Sequence, residues 1–291
     1  MSSAGVIGSP LAFRIYARAR GRDRQIQAGT YLLRHGTRWN DLLRAMNGGV
    51  GVINRVTIPE GFTIAQITPV LVRALDASPD SVDAAVRDSA LRARVGDPAA
   101  TLEGYLFPDT YVFAPGTSAR EAVTEMVKRF EREWKPEYDA QAAALGYSRH
   151  QIVTMASIVE KEARVPSERP VIAAVYYNRL KDGMLLQADP TIQYVLGRHT
   201  DRVLYRDLTI DSPYNTYLHA GLPPGPIASP GGASLRAALA PASVPYLYFV
   251  AAPDGHHEFR TSLAQHEQAK RAIKAERGAD SAAKLRASRG L

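Results

Sequence analysis

Two carboxylates stand close together in the segment ASIVEKEARVPSE, residues 156–168, where Glu160 and Glu162 flank Lys161 inside an otherwise apolar run. A carboxyl group among apolar neighbours is partly desolvated, which disfavours its charged form and raises its pKa. A general acid working near neutral pH needs that state, as glycosidase proton donors do. The chain of 291 residues contains no cysteine, so disulfides, thiolate zinc sites and cysteine nucleophiles are excluded. Any chemistry falls to oxygen and nitrogen groups.

Helix periodicity separates the two glutamates. Ser148 followed by Gln151 has the form of a capping box, and Val165-Pro166 marks a stop, so the spacing predicts a helix from about Arg149 to Arg164. At about 100° per residue, Met155, Ile158, Val159 and Glu162 fall on one side. Glu162 therefore sits within the apolar stripe. Glu160 lies well round the helix, four residues before Arg164, at the spacing of an exposed ion pair. Two readings of Glu162 stay open: a catalytic acid, or a buried carboxylate in a structural ion pair with Arg169 or Arg179.

The neighbouring segments are dense in hydrogen-bonding groups. SERPVIAAVYYNRLKDG reads as a helix capped by Ser167 and stopped by Gly183, with Tyr177, Asn178 and Arg179 near its end. In MLLQADPTIQYVLG, Asp189-Pro190 has the form of a cap and first turn, so Asp189 is a cap or a ligand; Gln187, Thr191, Gln193 and Tyr194 add neutral polar groups. Residues 212–232 are too rich in Gly and Pro for a regular element. A long ordered loop is expected there, with Asn215, Thr216 and Tyr217 at its start. TLEGYLFPDTYVFAPG combines Glu103 and Asp109 with Tyr105, Phe107, Tyr111 and Phe113: either a sugar platform or a strand pair with core aromatics. His256 and His257 are adjacent in a hairpin turning at Pro253-Asp254-Gly255. They point to opposite faces there, which argues against a metal site.

Elsewhere the chain supplies scaffold. A strand-like run Thr30–Leu33, a Gly36-Thr37 turn and a helix bearing Trp39, Leu42, Leu43 and Met46 form a first unit, similar to a LysM-like glycan-binding repeat or serving as an N-terminal cap. Val52–Thr63 reads as strand and turn, Ile64 to about Arg94 as helical, and Thr117 to about Trp134 as an amphipathic helix. The net charge of +7 suits a polyanionic partner. Much of it lies in Arg14–Arg24 and in the tail from Lys270. No run approaches a membrane span, the start is not a signal peptide, and no phosphate-cradling loop, GxSxG elbow or nucleic-acid module is present.

Over TMASIVEKEARVPSERPVIAAVYYNRLKDGMLLQADPTIQYVLG, YNTYLHAGLPPGPIASPG and PYLYFVAAPDGHHEFRTSLAQH, the sequence resembles the endolytic murein transglycosylases, the YceG-like family. The resemblance runs from about Ala28 to Ala269. It implies an α+β fold: a basic segment 1–24, a LysM-like subdomain 25–55, a mixed α+β catalytic domain 56–275, and a disordered basic tail 276–291. In that family the second glutamate of the EKE pair is catalytic, which maps to Glu162. The implied reaction cleaves the MurNAc-GlcNAc β-1,4 bond within peptidoglycan and leaves 1,6-anhydro-MurNAc ends, without metal or cofactor. Gln187, Asp189, Asn215, Thr216 and Tyr217 would line the sugar cleft, with Asn178, Glu103 and Asp109 as further candidates.

Partners implied are peptidoglycan strands and penicillin-binding glycan synthases, with no nucleic acid. Family members carry an N-terminal membrane span and face the periplasm. This chain begins where that span would end, so the expectation is an inner-membrane protein whose span is missing through truncation or a start site placed downstream. A non-catalytic peptidoglycan-binding module is the alternative. A pyridoxal-phosphate lyase, an older label of this family, would need a Schiff-base lysine and a phosphate cup. Lys161 lies on the polar side of the helix and no Gly-rich cup accompanies it.

Overall fold

The structure, a computed structural model, describes residues 9–26, 31, 33, 36–47, 54–96, 98–197 and 203–288, with side chains of the last helix described to residue 276. The fold is α+β, with helices predominating over two small antiparallel strand pairs. The chain divides into two compact units: residues 1–58, 66–86 and 109–125 form the first, and 59–65, 87–108 and 126–291 the second.

In the first unit, α1 (Pro10–Ala19) starts at Ser9, whose hydroxyl accepts the Ala12 N–H, and Pro10 suits the first turn. Phe13, Tyr16 and Ala17 recur at spacings of three and four, and they pack on Trp39, Leu42, Leu43 and Met46 of α2 (Trp39–Asn47). The basic segment 1–24 thus holds an ordered helix with its own buried stripe. Of the LysM-like expectation for 25–55, the helix is present, whereas Thr30, Leu32 and Gly48-Gly49 lie outside the described residues. Strand β1 (Asn54–Ile58) pairs antiparallel with β2 (Asp109–Phe113), Val56 opposite Tyr111. Val56, Ile58, Tyr111 and Phe113 are buried, as strand alternation requires, and so Tyr111 and Phe113 are core residues rather than an exposed sugar platform. The expected helical region from Ile64 is three helices, α3 (Ile64–Leu75), α4 (Pro79–Val86) and α5 (Ser89–Val95). The second break follows from Asp88, whose carboxylate accepts the Ala90 and Leu91 N–H groups and starts α5.

The second unit is built around α8 (Arg149–Glu162), preceded by α6 (Ala119–Glu133), which begins in the first unit, and α7 (Pro136–Ala144). Ser148 and Gln151 form the expected capping box, and every residue from Ile152 to Val159 is buried. A helix buried on all sides is a core element, and both glutamates lie at its C-terminal end. α9 (Arg169–Lys181), α10 (Asp189–Val195) and α11 (Gly232–Leu239) pack against it or each other. The expected hairpin is β3 (Tyr248–Ala251) and β4 (His257–Arg260), followed by α12 (Leu263–Ser288). The tail expected to be disordered from 276 is helical to Ser288. Ala, Lys, Arg and Glu, good helix formers, dominate that stretch and outweigh Gly278. Residues 210–231 are an ordered loop without regular structure, as the Gly and Pro content predicts.

Candidate active site

The two glutamates part as their spacing foretold, but Glu160 goes elsewhere than expected. It is not a surface partner of Arg164. Its Oε2 accepts the Ser234 hydroxyl at 2.7 Å and the Gly231 N–H at 3.0 Å, and its Oε1 lies 3.4 Å from Arg169 Nη2. Arg169 Nε also donates to Ser234, closing the network, and both charged side chains are largely buried. The helix face that looked solvated is covered by α11 and the loop before it, and contacts from residues more than sixty positions away are invisible to local spacing. Glu160 is a clasp between α8, α9 and α11.

Glu162 is the last residue of α8 and is half-buried. Its Oε1 accepts the Tyr176 hydroxyl at 2.8 Å, and Oε2 has no hydrogen-bond partner among the described residues. Burial pushes its pKa up to about 7; the Tyr176 hydrogen bond opposes the rise, the Asp189 charge adds to it, and Arg164 and Arg179 oppose it. Neither Arg169 nor Arg179 forms the ion pair that would have made Glu162 structural; Arg169 pairs with Glu160. The Arg179 guanidinium instead donates to the carbonyls of Leu185, Leu186 and Leu247, tying α9 to the stretch before Gln187.

Tyr176, the hydrogen-bond partner of Glu162, is the candidate residue that sequence reasoning missed. It lies on the buried stripe of α9 with Ile172 and Val175 and is 2% exposed, its ring edge-on to Phe249. A buried tyrosine hydroxyl calls for a partner, and that requirement was the signal available in the sequence. Burial, the Glu162 charge and the hydrogen bond all drive the phenol pKa well upward, so it acts only as a donor.

Asp189 is the first residue of α10 rather than its cap; Ala188 occupies the cap and Pro190 the first turn. The carboxylate is therefore free to accept the Tyr217 hydroxyl at 2.5 Å, an interaction that raises the Tyr217 pKa beyond the effect of burial. Thr216 welds the two loops together. Its carbonyl accepts the Gln187 N–H, its hydroxyl accepts the Ala188 N–H at 3.0 Å, and Thr191 lies 2.9 Å away. Gln187 is exposed with φ +50, an uncommon conformation for a non-glycine residue and a common one at ligand-binding positions.

Buried Asn215 accepts the Tyr217 N–H and donates to the carbonyls of Leu208 and Ile210, shaping the loop that presents Tyr217. Glu162, Tyr176, Asp189 and Tyr217 thus sense one another, with Gln187 and Thr216 beside Asp189.

The remaining candidates have other partners. Asn178 commits its amide nitrogen to the carbonyls of Val244 and Tyr246. Glu103 is 7% exposed and accepts the Ile64 N–H at the start of α3. Burial raises its pKa to about 7, opposed by the N–H groups of Ile64 and Gly104 and by the Tyr194 hydroxyl. The next residue, Gly104, has φ +85 and sits where a Cβ would run into Pro226. Asp109 is exposed on β2, in the first unit, and accepts the N–H of Thr110. His257 Nδ1 lies 2.7 Å from Glu168 Oε2 on the hairpin. Lys161 Nζ donates to the Gly61 carbonyl at 3.3 Å.

The site thus sets a carboxyl group with a pKa raised to about 7, at the end of a core helix, among Gln, Asp, Asn, Thr and Tyr side chains. Comparison with known proteins agrees with the resemblance. The model of the YceG-like family matches residues 1–272, which include every residue of the site. The chain belongs to the YceG-like family. The endolytic murein transglycosylase of Bacillus subtilis (strain 168) is 38% identical over 281 residues, 91% of this chain and 78% of that protein. The endolytic murein transglycosylase of Streptococcus pneumoniae serotype 2 is 30% identical over 289 residues, 86% of this chain and 51% of that one. A YceG-like protein of Listeria monocytogenes, known from its crystal structure, is 34% identical with a TM-score of 0.70, covering 92% of each chain. Among the described residues of this YceG-like chain, no helix is long and apolar enough to cross a membrane.

Proposed function

We propose that the protein is an endolytic peptidoglycan lytic transglycosylase with Glu162 as its single acid-base group. The observation that carries this reading is the Glu162 carboxyl itself, with one oxygen pinned by Tyr176, the other without a partner among the described residues, and a pKa near 7. Near neutral pH such a group is populated in both protonation states, so it can serve as acid and then as base. In the first step Glu162 protonates the glycosidic oxygen, and the bond from the MurNAc anomeric carbon to the GlcNAc O4 breaks. The MurNAc C6 hydroxyl then attacks the anomeric carbon and gives its proton to the carboxylate. Glu162 is restored, no water is consumed, and the products are a 1,6-anhydro-MurNAc end and a free GlcNAc 4-hydroxyl. Intramolecular attack gains from proximity, so a second carboxylate nucleophile is not required. Asp189, held by Tyr217, adds negative charge where the ring becomes cationic, and Gln187, Thr216 and Tyr217 offer sugar-hydroxyl partners.

On this reading the enzyme ends nascent strands, works beside penicillin-binding glycan synthases, and faces the periplasm from the inner membrane. The test is digestion of purified murein with product analysis by mass spectrometry. Wild type should release anhydro-muropeptides, and Glu162→Gln should lose about 10³-fold in rate. Reducing ends would indicate a hydrolase, intact murein a binding module, and undiminished activity in Glu162→Gln would remove that residue from the mechanism.

A further inference from the structure

The first unit contains a cavity of about 340 Å³ between β1 and α3, a size in the range of small-ligand sites. Pro69, Val70 and Ala74 of α3 give it an apolar wall, and Arg55 of β1 and Arg73 of α3 border it with Thr57. The walls are tied together, because Asn54 Nδ2 donates to the Ala74 carbonyl at 2.7 Å. Arg55 and Arg73 are both exposed to solvent at the edge of this groove. They have no carboxylate or hydrogen-bond partner among the described residues. Two unmatched guanidinium groups beside a small apolar wall suit a ligand that carries carboxylates next to methyl-sized side chains.

We infer that this cavity binds the peptide stems of peptidoglycan, short chains of alanine, glutamate and a diamino acid, through their carboxylates. The inference rests on the proposed substrate, yet it concerns a different unit and a different part of the polymer. Stem recognition away from Glu162 would select which strands are held, without taking part in bond cleavage.

The test has two arms. In the first, the full chain is titrated with a free stem pentapeptide, L-Ala-D-Glu-L-Lys-D-Ala-D-Ala, with the same peptide amidated at its carboxylates, and with inorganic phosphate, followed by NMR. The acid peptide should bind, amidation should weaken it, and Arg55→Gln and Arg73→Gln should each weaken it about tenfold, the order expected for one charge-assisted hydrogen bond. In the second arm, the Arg55→Gln/Arg73→Gln double variant is given stem-bearing strands and strands stripped of stems by an amidase. Its KM should rise severalfold for stem-bearing strands alone, with kcat unchanged. Equal peptide binding by wild type and double variant would overturn the inference. So would phosphate binding tighter than the acid peptide, or an equal effect on both kinds of strand. If wild type binds the peptide but forms no anhydro ends, the cavity stands and the proposed reaction falls.

Discussion

Replacing Tyr176 with phenylalanine removes one hydrogen bond and almost nothing else, so it isolates the control of the Glu162 proton. The hydroxyl donates to Oε1 at 2.8 Å and holds the pKa down against burial. A hydrogen bond to an ionised group contributes about 1.5–3 kcal/mol and one to a neutral group about 0.5–1.5, so the charged form loses about 1 kcal/mol more than the neutral form. That difference is roughly 0.7 of a pKa unit, which moves the group from about 7 to just under 8. At pH 8 the protonated fraction would rise from roughly one tenth to roughly one third, whereas at pH 6 both proteins would be almost fully protonated. The measurement is kcat/KM for murein strands from pH 5.5 to 9. Freer rotation of the carboxyl should lower the rate of the variant at every pH. The ratio of variant to wild type should nevertheless climb about threefold from pH 6 to pH 8 as the alkaline limb shifts upward. A limb that stays in place, or moves down, would show that Tyr176 does not govern this proton. A purely structural role would lower the rate by one factor throughout.

Three further outcomes follow from the same side chains. Glu103 is raised to about 7 from an ordinary 4.5, so the folded state holds its proton more tightly; that stabilisation is complete below about 4.5 and is lost as pH rises through 7. Between pH 5.5 and pH 8 it amounts to about 2 kcal/mol, and urea unfolding of Glu103→Gln should lack that part of the slope. Glu160→Ala leaves Arg169 largely buried without its carboxylate and should destabilise by about 3 kcal/mol in the same assay. A change under 1 kcal/mol would mean that the clasp is not structural. Asn215→Ala removes two donations to carbonyls and the acceptor for the Tyr217 N–H; it should cost about 2 kcal/mol and raise KM for glycan as Tyr217 loses its position.

Local periodicity made the elements legible: the capping box at Ser148, the hairpin at Asp254 and the irregular stretch 210–231 all follow from short-range rules. Periodicity also separated Glu162 from Glu160. It could not show that α8 is buried on every side, because the cover comes from distant α9, α10 and α11. For the same reason it mistook the Glu160 clasp for surface and passed over Tyr176, whose hydroxyl finds Glu162 only once α9 lies against α8. Asn178 and Asn215 read as ligands by residue type. Their amide nitrogens are committed to backbone carbonyls, a distinction that composition does not carry.

The divergence of two carboxylates only two residues apart follows from where donors fall around the end of one helix. Glu160 meets the Gly231 N–H, the Ser234 hydroxyl and the Arg169 guanidinium. Glu162 ends the helix, where the backbone dipole is negative, with one neutral donor and the Asp189 charge nearby, all within a desolvated setting. In the proposed mechanism, a matched cation beside Glu162 would favour its charged form and weaken it as a proton donor to a leaving group. Arg179, one of the two arginines the sequence offered for such a pair, has its guanidinium engaged with three backbone carbonyls instead. The two carboxylates therefore differ by the partners withheld from Glu162 as much as by those supplied to Glu160.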